Sequence, residues 1–228
     1  MTLAFTLCSI NYLAQARTLG DSLKRTNPHI RYVIGLVDRL DAAQVLDDKL
    51  PDFELLELHQ IGIDGLDEMC KHYNITELNT AVKPYFIRYF FEKTPQVRNV
   101  IYFDPDIIVY QPLTNLENLL EKHDIVLTPH LTTPIDDQLT PNELHHLNTG
   151  VYNLGFIALH KSPEAVDFVK WWENKLFDEC KIDLCNGLFV DQHWVNFAPI
   201  FWNNVHNNPF IISLFYIINN TTITIRSS

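Results

Sequence analysis

Apolar residues along this chain fall into two kinds of pattern, short continuous runs and longer stretches with helical spacing. The runs at residues 3–8 and 31–37 predict strands, and the continuous run at 100–103 is typical of a strand buried on both faces. Between them, apolar residues recur every three or four positions, which predicts amphipathic helices. Strands that alternate with helices indicate an α/β fold with a mostly parallel central sheet and helices on both faces. The run at 100–103 is expected to be an interior strand of that sheet.

Weaker signals complete this pattern. Further strands are predicted over residues 53–58, 124–128 and 151–159, and helices over residues 79–93 and 115–123. Another helix is predicted after Ser162 and Pro163, which supply an N-cap and a first-turn signal.

The last part of the chain, residues 203–228, departs from the pattern. It is rich in Asn, Ile and Thr, and it has neither helical periodicity nor capping residues. We therefore divide the chain into a domain at residues 1–202 and an irregular tail at 203–228. Three interpretations of the tail stay open: a final strand with a loose end, a chain that stops short of its natural end, and a terminus translated out of frame. If the chain is cut short, residues after Asn207 are expected to pack poorly.

Charge and composition exclude several classes of protein. The chain has 17 Lys and Arg against 28 Asp and Glu, a formal net charge of −11 with His neutral. An acidic surface argues against a general nucleic-acid binder, because affinity for phosphates needs basic side chains. No apolar run reaches the length of a transmembrane helix. A phosphorylated ligand stays compatible with this charge if a divalent cation binds with it.

The cysteines and the N-terminus indicate a cytoplasmic protein. Cys8, Cys70, Cys180 and Cys185 are too few and too scattered for a disulfide framework, so we interpret them as reduced thiols. The apolar start of the chain has no basic residue before Arg17, which argues against a signal peptide. Peripheral contact with a membrane stays open.

The strongest chemical signal is a pair of carboxylates, Asp104 and Asp106, directly after the apolar run at 100–103. Ligands of open α/β sheets bind at the carboxyl ends of the strands. Two carboxylates in that place suit a hard divalent cation, which can bridge to a diphosphate. The alternative is a surface turn with two solvated acids, because Asp and Pro both favour turns.

Two further polar elements follow the same logic. Asn153 and Gly155 lie where the chain enters a predicted strand. An Asn amide can donate to and accept from sugar hydroxyls, and a glycine lets the backbone approach a ligand. Asp191 and Gln192 come directly after another apolar segment. Each element has a structural alternative, a turn in the first case and a helix cap in the second.

In their order along the chain, these residues resemble the GT-A-fold glycosyltransferases, particularly family-8-like enzymes with nucleotide-sugar donors, from about residue 3 to residue 196. The resemblance implies that Asp104 and Asp106 bind Mn²⁺ or Mg²⁺ together with the donor diphosphate. It makes Asp191 and Gln192 the catalytic candidates beside the donor sugar. The residues that it implies for donor binding are Cys8, Ser9, Tyr12, Arg88, Asn153 and Gly155.

The resemblance also implies an activity and its partners. The domain at 1–202 would bind a nucleotide-diphosphate sugar, with a UDP-sugar expected, and transfer the sugar to a saccharide or a lipid-linked acceptor. Asp104 and Asp106 would face a cleft shared with Arg88, Asn153 and Asp191.

One departure from the family pattern leaves alternatives open. Such enzymes often take a histidine as a third metal ligand from a C-terminal motif that we do not find here. We interpret His206 as a surface histidine in a loop, and His145 and His146 as part of a solvated loop. The alternatives are a haloacid-dehalogenase-type phosphohydrolase, whose downstream residues do not match, and an inactive truncated relative that still binds a nucleotide.

Overall fold

A computed structural model describes residues 1–43, 51–135, 141–209 and 215–217. The strands are β1 (Thr2–Cys8), β2 (Arg31–Leu36), β3 (Glu54–Glu57), β4 (Asn99–Phe103), β5 (Ile107–Val109), β6 (Ile125–Leu127), β7 (Phe156–His160), β8 (Ile182–Asp183), β9 (Leu188–Phe189), β10 (Val205–Asn207) and β11 (Phe215–Ile217). The helices are α1 (Leu13–Thr26), α2 (Leu40–Ala43), α3 (Leu66–His72), α4 (Ile75–Ala81), α5 (Lys83–Lys93), α6 (Thr114–Leu120), α7 (Glu143–Thr149), α8 (Pro163–Leu176), α9 (Gln192–Val195) and α10 (Ala198–Phe201).

Within the described ranges, the central sheet has seven strands in the order β10-β6-β7-β4-β1-β2-β3. Strand β7 runs against its neighbours β4 and β6, and the other pairings are parallel. Strand β4 lies between β1 and β7, and its residues from Val100 to Phe103 are buried. The predicted α/β fold with a mostly parallel sheet, and the interior position of this strand, are confirmed.

Helices cover both faces of the sheet because the strands alternate their side chains between them. In β1, Phe5 points to the face covered by α5 and α8, whereas Ala4 points to the face covered by α1 and α6. The Phe5 ring packs against the rings of Phe86 and Phe90 of α5 at centroid distances of 6.2 and 5.2 Å. These contacts fix α5 against the sheet, and the first residue of α5 becomes important below.

Helix α8 begins and packs as its sequence predicts. The Ser162 hydroxyl accepts a hydrogen bond from the backbone N–H of Ala165, and Pro163 occupies the first turn. Phe168, Trp172 and Leu176 follow at intervals of four residues and are all buried. No helix in the described part of the chain is both long and apolar enough to cross a membrane.

Three predicted elements differ from the observed ones. The helix predicted over 79–93 is two helices, α4 and α5, and α4 begins at a capping box formed by Asn74 and Glu77. The strand predicted over 151–159 begins only at Phe156, because the preceding residues form a loop. The helix predicted over 115–123 ends at Leu120.

The tail predicted to be irregular contains two strands. Strand β10 pairs with β6, so the central sheet includes residues past the predicted boundary at 202, and β11 pairs with β5 in a separate two-stranded sheet. His206 therefore lies on a strand, not in a loop, and its ring stacks on that of His123 at 4.5 Å. The rest of the prediction falls on residues 210–214 and 218–228, which lie outside the described residues.

Candidate functional site

The polar residues of the site meet at one edge of the central sheet. Asp104 follows the last residue of β4, and Gly155 precedes the first residue of β7. Because β7 is antiparallel to β4, its start lies beside the end of β4, with Phe156 opposite Phe103. The Asp104 N–H donates to the Gly155 carbonyl at 2.8 Å. The carboxylate motif and the Asn153–Gly155 motif are therefore in direct contact.

Gly155 is required by this contact. A Cβ atom on Gly155 would lie 2.9 Å from Oδ2 of Asp104, closer than real Cβ contacts, and 3.0 Å from Oδ1 of Asn153, which is a tight contact. The Gly155 N–H also donates to Oδ1 of Asn153 at 2.9 Å. The glycine thus keeps one carboxylate oxygen of Asp104 free of a neighbouring side chain.

The two acids of the carboxylate motif have different surroundings. The Tyr102 hydroxyl donates to Oδ1 of Asp104 at 2.7 Å, and burial raises the pKa of Tyr102, which keeps this donor protonated. The pKa of Asp106 is raised by partial burial and by the neighbouring charge of Asp104. Two acids that repel each other in this way favour a bound cation.

A buried lysine joins the three motifs. Lys83, the first residue of α5, is 1% exposed, and its Nζ donates to Oδ2 of Asp191 at 2.5 Å and to the Leu154 carbonyl at 2.8 Å. The same Nζ lies 4.2 Å from the ring centroid of Tyr102, which in turn contacts Asp104. Sequence reasoning missed Lys83. The available signal was a lysine with Pro84 at a helix start, inside a largely apolar stretch.

Asp191 and Gln192 are held by the loop between β9 and α9. Asp191 is 2% exposed, and its backbone carbonyl accepts from the Trp172 indole N–H at 3.3 Å. Burial raises the pKa of the Asp191 carboxyl, and the Lys83 ammonium opposes that rise. The Gln192 side-chain amide donates to the Thr149 carbonyl at 2.6 Å, which ties this loop to the end of α7.

The first loop lies at the ends of β1 and β2. The Ser9 hydroxyl donates to Oδ1 of Asn11 at 2.6 Å, and Tyr12 is 38% exposed. The Cys8 side chain lies in the core instead, and burial, with a smaller effect of Asp38, raises the pKa of its thiol to about 12. A role for Cys8 in donor binding therefore rests on its backbone.

Arg88 lies apart from the groups that Lys83 joins. Its Nε donates to Oε1 of Glu173 on α8 at 2.7 Å, and its guanidinium lies 3.5 Å from Glu92. It also borders a cavity of about 300 Å³ lined by residues of α5 and α8. Five positions along a helix correspond to about 7.5 Å of rise and a rotation of about 140°. Arg88 is therefore hydrogen-bonded to α8, and Lys83 is the cation found with Asp191, whereas a place for Arg88 in the cleft stays a prediction.

Histidines form a cluster near the same edge. His146 lies on α7 and is 8% exposed, and its ring stacks on that of His130 at 4.5 Å. The His145 ring meets that of His146 edge-on at 5.4 Å. Burial and the neighbouring His146 lower the pKa of His130 to about 4. The predicted solvated loop at these histidines is thus wrong, because the helix turns one of them inward.

Among residues 1–43, 51–135, 141–209 and 215–217, no group of three or more His, Cys, Asp or Glu side chains is placed to share a metal ion. A metal site at Asp104 and Asp106 stays a prediction that rests on two carboxylates.

Comparison with known proteins gives one relative in sequence and several in structure. No family model matches the chain. The uncharacterised protein YfnF of Bacillus subtilis (strain 168) is 28% identical over 214 residues, which are 90% of this chain and 68% of YfnF. A glycosyltransferase involved in glycosylation of the major capsid of PBCV-1 matches with a TM-score of 0.58 at 11% identity, over 97% of this chain and 94% of that one.

Two further solved structures agree with that match. The galactosyltransferase LgtC, in complex with donor and acceptor sugar analogues, has a TM-score of 0.53 at 16% identity, over 91% of this chain and 73% of LgtC. The glycosyltransferase GlyE of Streptococcus pneumoniae TIGR4 has a TM-score of 0.52 at 18% identity, over 91% of this chain and 45% of GlyE. The chain thus spans less than half of GlyE. At these identities the likeness establishes a fold shared with GT-A-type glycosyltransferases.

Proposed function

We propose that the chain is a glycosyltransferase that takes a sugar from a nucleotide-diphosphate donor. The observation that carries the proposal is the polar network at the sheet edge, in which Lys83 joins Asp191, the Leu154 carbonyl and, through Tyr102, Asp104. Buried charged side chains are rare outside functional sites, because moving them out of water is costly. The fold shared with solved glycosyltransferases supports the same activity.

Asp104 and Asp106 fit a divalent cation. Both are hard oxygen ligands, burial and the neighbouring charge of Asp104 raise the pKa of Asp106, and Gly155 leaves an oxygen of Asp104 unobstructed. Mn²⁺ or Mg²⁺ held by these two carboxylates would neutralise the diphosphate of the leaving nucleotide. A two-carboxylate site leaves the other ligand positions to donor oxygens and water.

The donor would lie along the sheet edge, from the first loop to the α9 loop. Tyr12 and Ser9 at the end of β1 are proposed to contact the nucleoside, with the backbone of Cys8. Asn153 and Gly155 are proposed beside the diphosphate and sugar, and Gln192 at the far end. Gly155, whose N–H donates to Asn153, has no side chain, so a ligand can approach the backbone closely at this position.

The reaction would break the bond between the anomeric carbon of the sugar and the diphosphate. A new bond would form from that carbon to an acceptor oxygen, whose proton passes to solvent, and the diphosphate would leave with the electron pair of the broken bond. Asp191, paired with Lys83, would present a fixed carboxylate at the base of the sugar pocket. The phosphohydrolase alternative is not favoured, because the solved structures that share this fold are glycosyltransferases.

The test is calorimetric titration of UDP into the protein with and without Mn²⁺, for the natural sequence and for Asp106→Asn. We expect Mn²⁺ to strengthen UDP binding, and Asp106→Asn to remove that strengthening with a loss of about tenfold or more. The control is Asp21→Asn, which makes the same change of charge at an exposed position of α1. Its UDP affinity should be unchanged.

Release of UDP from a panel of UDP-sugars then separates an enzyme from a binding protein. Metal-dependent release with one sugar supports transfer. Tight, metal-dependent UDP binding without release from any donor would instead support the inactive relative. An unchanged metal dependence in Asp106→Asn would contradict the proposed site.

A further inference from the structure

The backbone bends unusually at the residue before Asp191. Among the described residues, Val190 is the one non-glycine residue with a positive φ, at 41°. A β-branched side chain in the left-handed region is strained, and such strain persists only where the surroundings enforce it. Three glycines in the described loops have φ between 69° and 77°, so glycine serves elsewhere where the chain turns this way.

The surroundings of Val190 do enforce this conformation. Its N–H donates to the Lys181 carbonyl at 3.0 Å, and its side chain is 8% exposed in the core. On the other side, the indole N–H of Trp172 holds the Asp191 carbonyl at 3.3 Å. Hydrogen bonds thus hold the chain on both sides of the strained residue, at the Val190 N–H and at the Asp191 carbonyl.

Asp191, the residue after Val190, does not make the hydrogen bond expected at its position. Asp191 stands at the N-cap position of α9, where an aspartate ordinarily accepts from the helix N–H groups. Here its φ and ψ are −77° and −31°, its side chain makes no capping bond, and the carboxylate turns inward to Lys83 at 2.5 Å. A relaxed Val190 would free the carboxylate for the ordinary cap.

We propose that Val190 is a positioning residue, whose left-handed backbone directs the Asp191 carboxylate away from the α9 cap and onto Lys83. The core-anchored Val190 side chain holds this conformation against its own steric penalty, whereas a glycine would adopt it without penalty. The role in sugar transfer rests on the proposed function, but the orientation of Asp191 does not.

Two variants separate strain from packing. Val190→Ala removes most of the side chain and keeps the penalty on positive φ, whereas Val190→Gly removes the side chain and the penalty together. If Val190 is strained, Val190→Gly unfolds at a higher urea midpoint than Val190→Ala. At most other positions a glycine variant is less stable than the alanine variant. A Val190→Gly protein that is less stable than Val190→Ala, or does not fold, overturns the proposal.

The second measurement follows Lys83 directly and needs no enzyme activity. Acetylation with acetic anhydride, read by mass spectrometry, is compared with that of Lys24, an exposed lysine of α1. We expect Lys83 to be protected in the natural protein and in Val190→Gly, which keeps a positive φ without penalty. We expect it to be labelled several-fold faster in Val190→Ala, which keeps the penalty but loses the anchoring side chain. Asp191→Asn, which removes the partner carboxylate, is the positive control. Equal labelling of Lys83 in the two Val190 variants overturns the proposal.

Donor kinetics give the third measurement. Val190→Ala should lose about tenfold or more in kcat with a nearly unchanged KM, because a misplaced group affects the reaction more than binding. Val190→Gly, which keeps the positive φ, should stay within a few-fold of the natural protein. If no variant, nor the natural protein, transfers sugar while the labelling contrast holds, the positioning role stands and the proposed function fails.

Discussion

Lys83 and Arg88 of helix α5 are two cations whose surroundings differ in almost every respect. Lys83 at its first position pairs with Asp191, and the two side chains are 2% and 3% exposed. Arg88 pairs with Glu173, and those side chains are 27% and 13% exposed. The first pair faces the sheet edge with the candidate site, and the second holds α5 against α8. Two ion pairs on one helix therefore differ in burial and in what they connect.

This difference indicates which of the two ion pairs bears on function. A buried ion pair costs more in lost hydration than a well-packed apolar pair would, so it adds little to stability by itself. Lys83 compensates with a second hydrogen bond, to the Leu154 carbonyl, and with the Tyr102 ring. A partly exposed pair such as that of Arg88 needs no such support, because water still solvates it.

The largest expected effect comes from breaking the buried pair on one side. Lys83→Met leaves the Asp191 carboxylate buried without its cation, and should lower the free energy of unfolding by about 3–5 kcal/mol. Urea denaturation followed by circular dichroism measures the change. Adding Asp191→Leu to Lys83→Met should recover part of the loss, because no unpaired charge is left. A loss below about 1 kcal/mol for Lys83→Met would contradict the buried-pair interpretation.

The second prediction compares these pairs with His130, a basic group that faces other histidines and not a carboxylate. His130 has a folded-state pKa of about 4, below the ordinary value of 6.5, so the unfolded chain binds the proton first as pH falls. Its contribution to stability is complete above pH 6.5 and is lost between pH 6.5 and 4, to a limit of about 3 kcal/mol.

Urea midpoints of the natural protein and of His130→Gln, measured across this range of pH, test that expectation. The described groups that face His130 are His145 and His146 of α7 and the backbone of Gly150 and Val151, and Glu143 acts on His146. The variant should be less sensitive to acid than the natural protein. Parallel pH profiles for the two proteins would show that His130 is not the group that titrates.

The smallest effect is expected at the partly exposed pair. Arg88→Ala should lower the free energy of unfolding by about 1 kcal/mol or less, because Glu173 can still be solvated. Its affinity for UDP, measured by calorimetry as for Asp106→Asn, should stay within about twofold. A large loss of UDP affinity would place Arg88 in the donor site after all.

Much of the fold and part of the candidate site followed from the sequence. The run at 100–103 predicted an interior strand, and that strand positions Asp104 at the edge of the sheet. The contact of Asp104 with Gly155 also agrees with the pattern, since both were predicted at strand ends. Hydrophobic periodicity did not reveal that β7 is antiparallel, because buried strands of either direction have the same apolar pattern.

What the sequence by itself determined was where each element lies and which of its faces is apolar, because those depend on neighbouring residues. Only the tertiary structure decided the partners. Lys83 and Asp191 are 108 positions apart, and Arg88 and Glu173 are 85 apart. Hydrophobic periodicity alone would place Lys83 or Arg88 near a carboxylate equally well. Packing of α5 against the sheet decided between them, because the rise along the helix puts Lys83, and not Arg88, at the edge where the chain turns into α9.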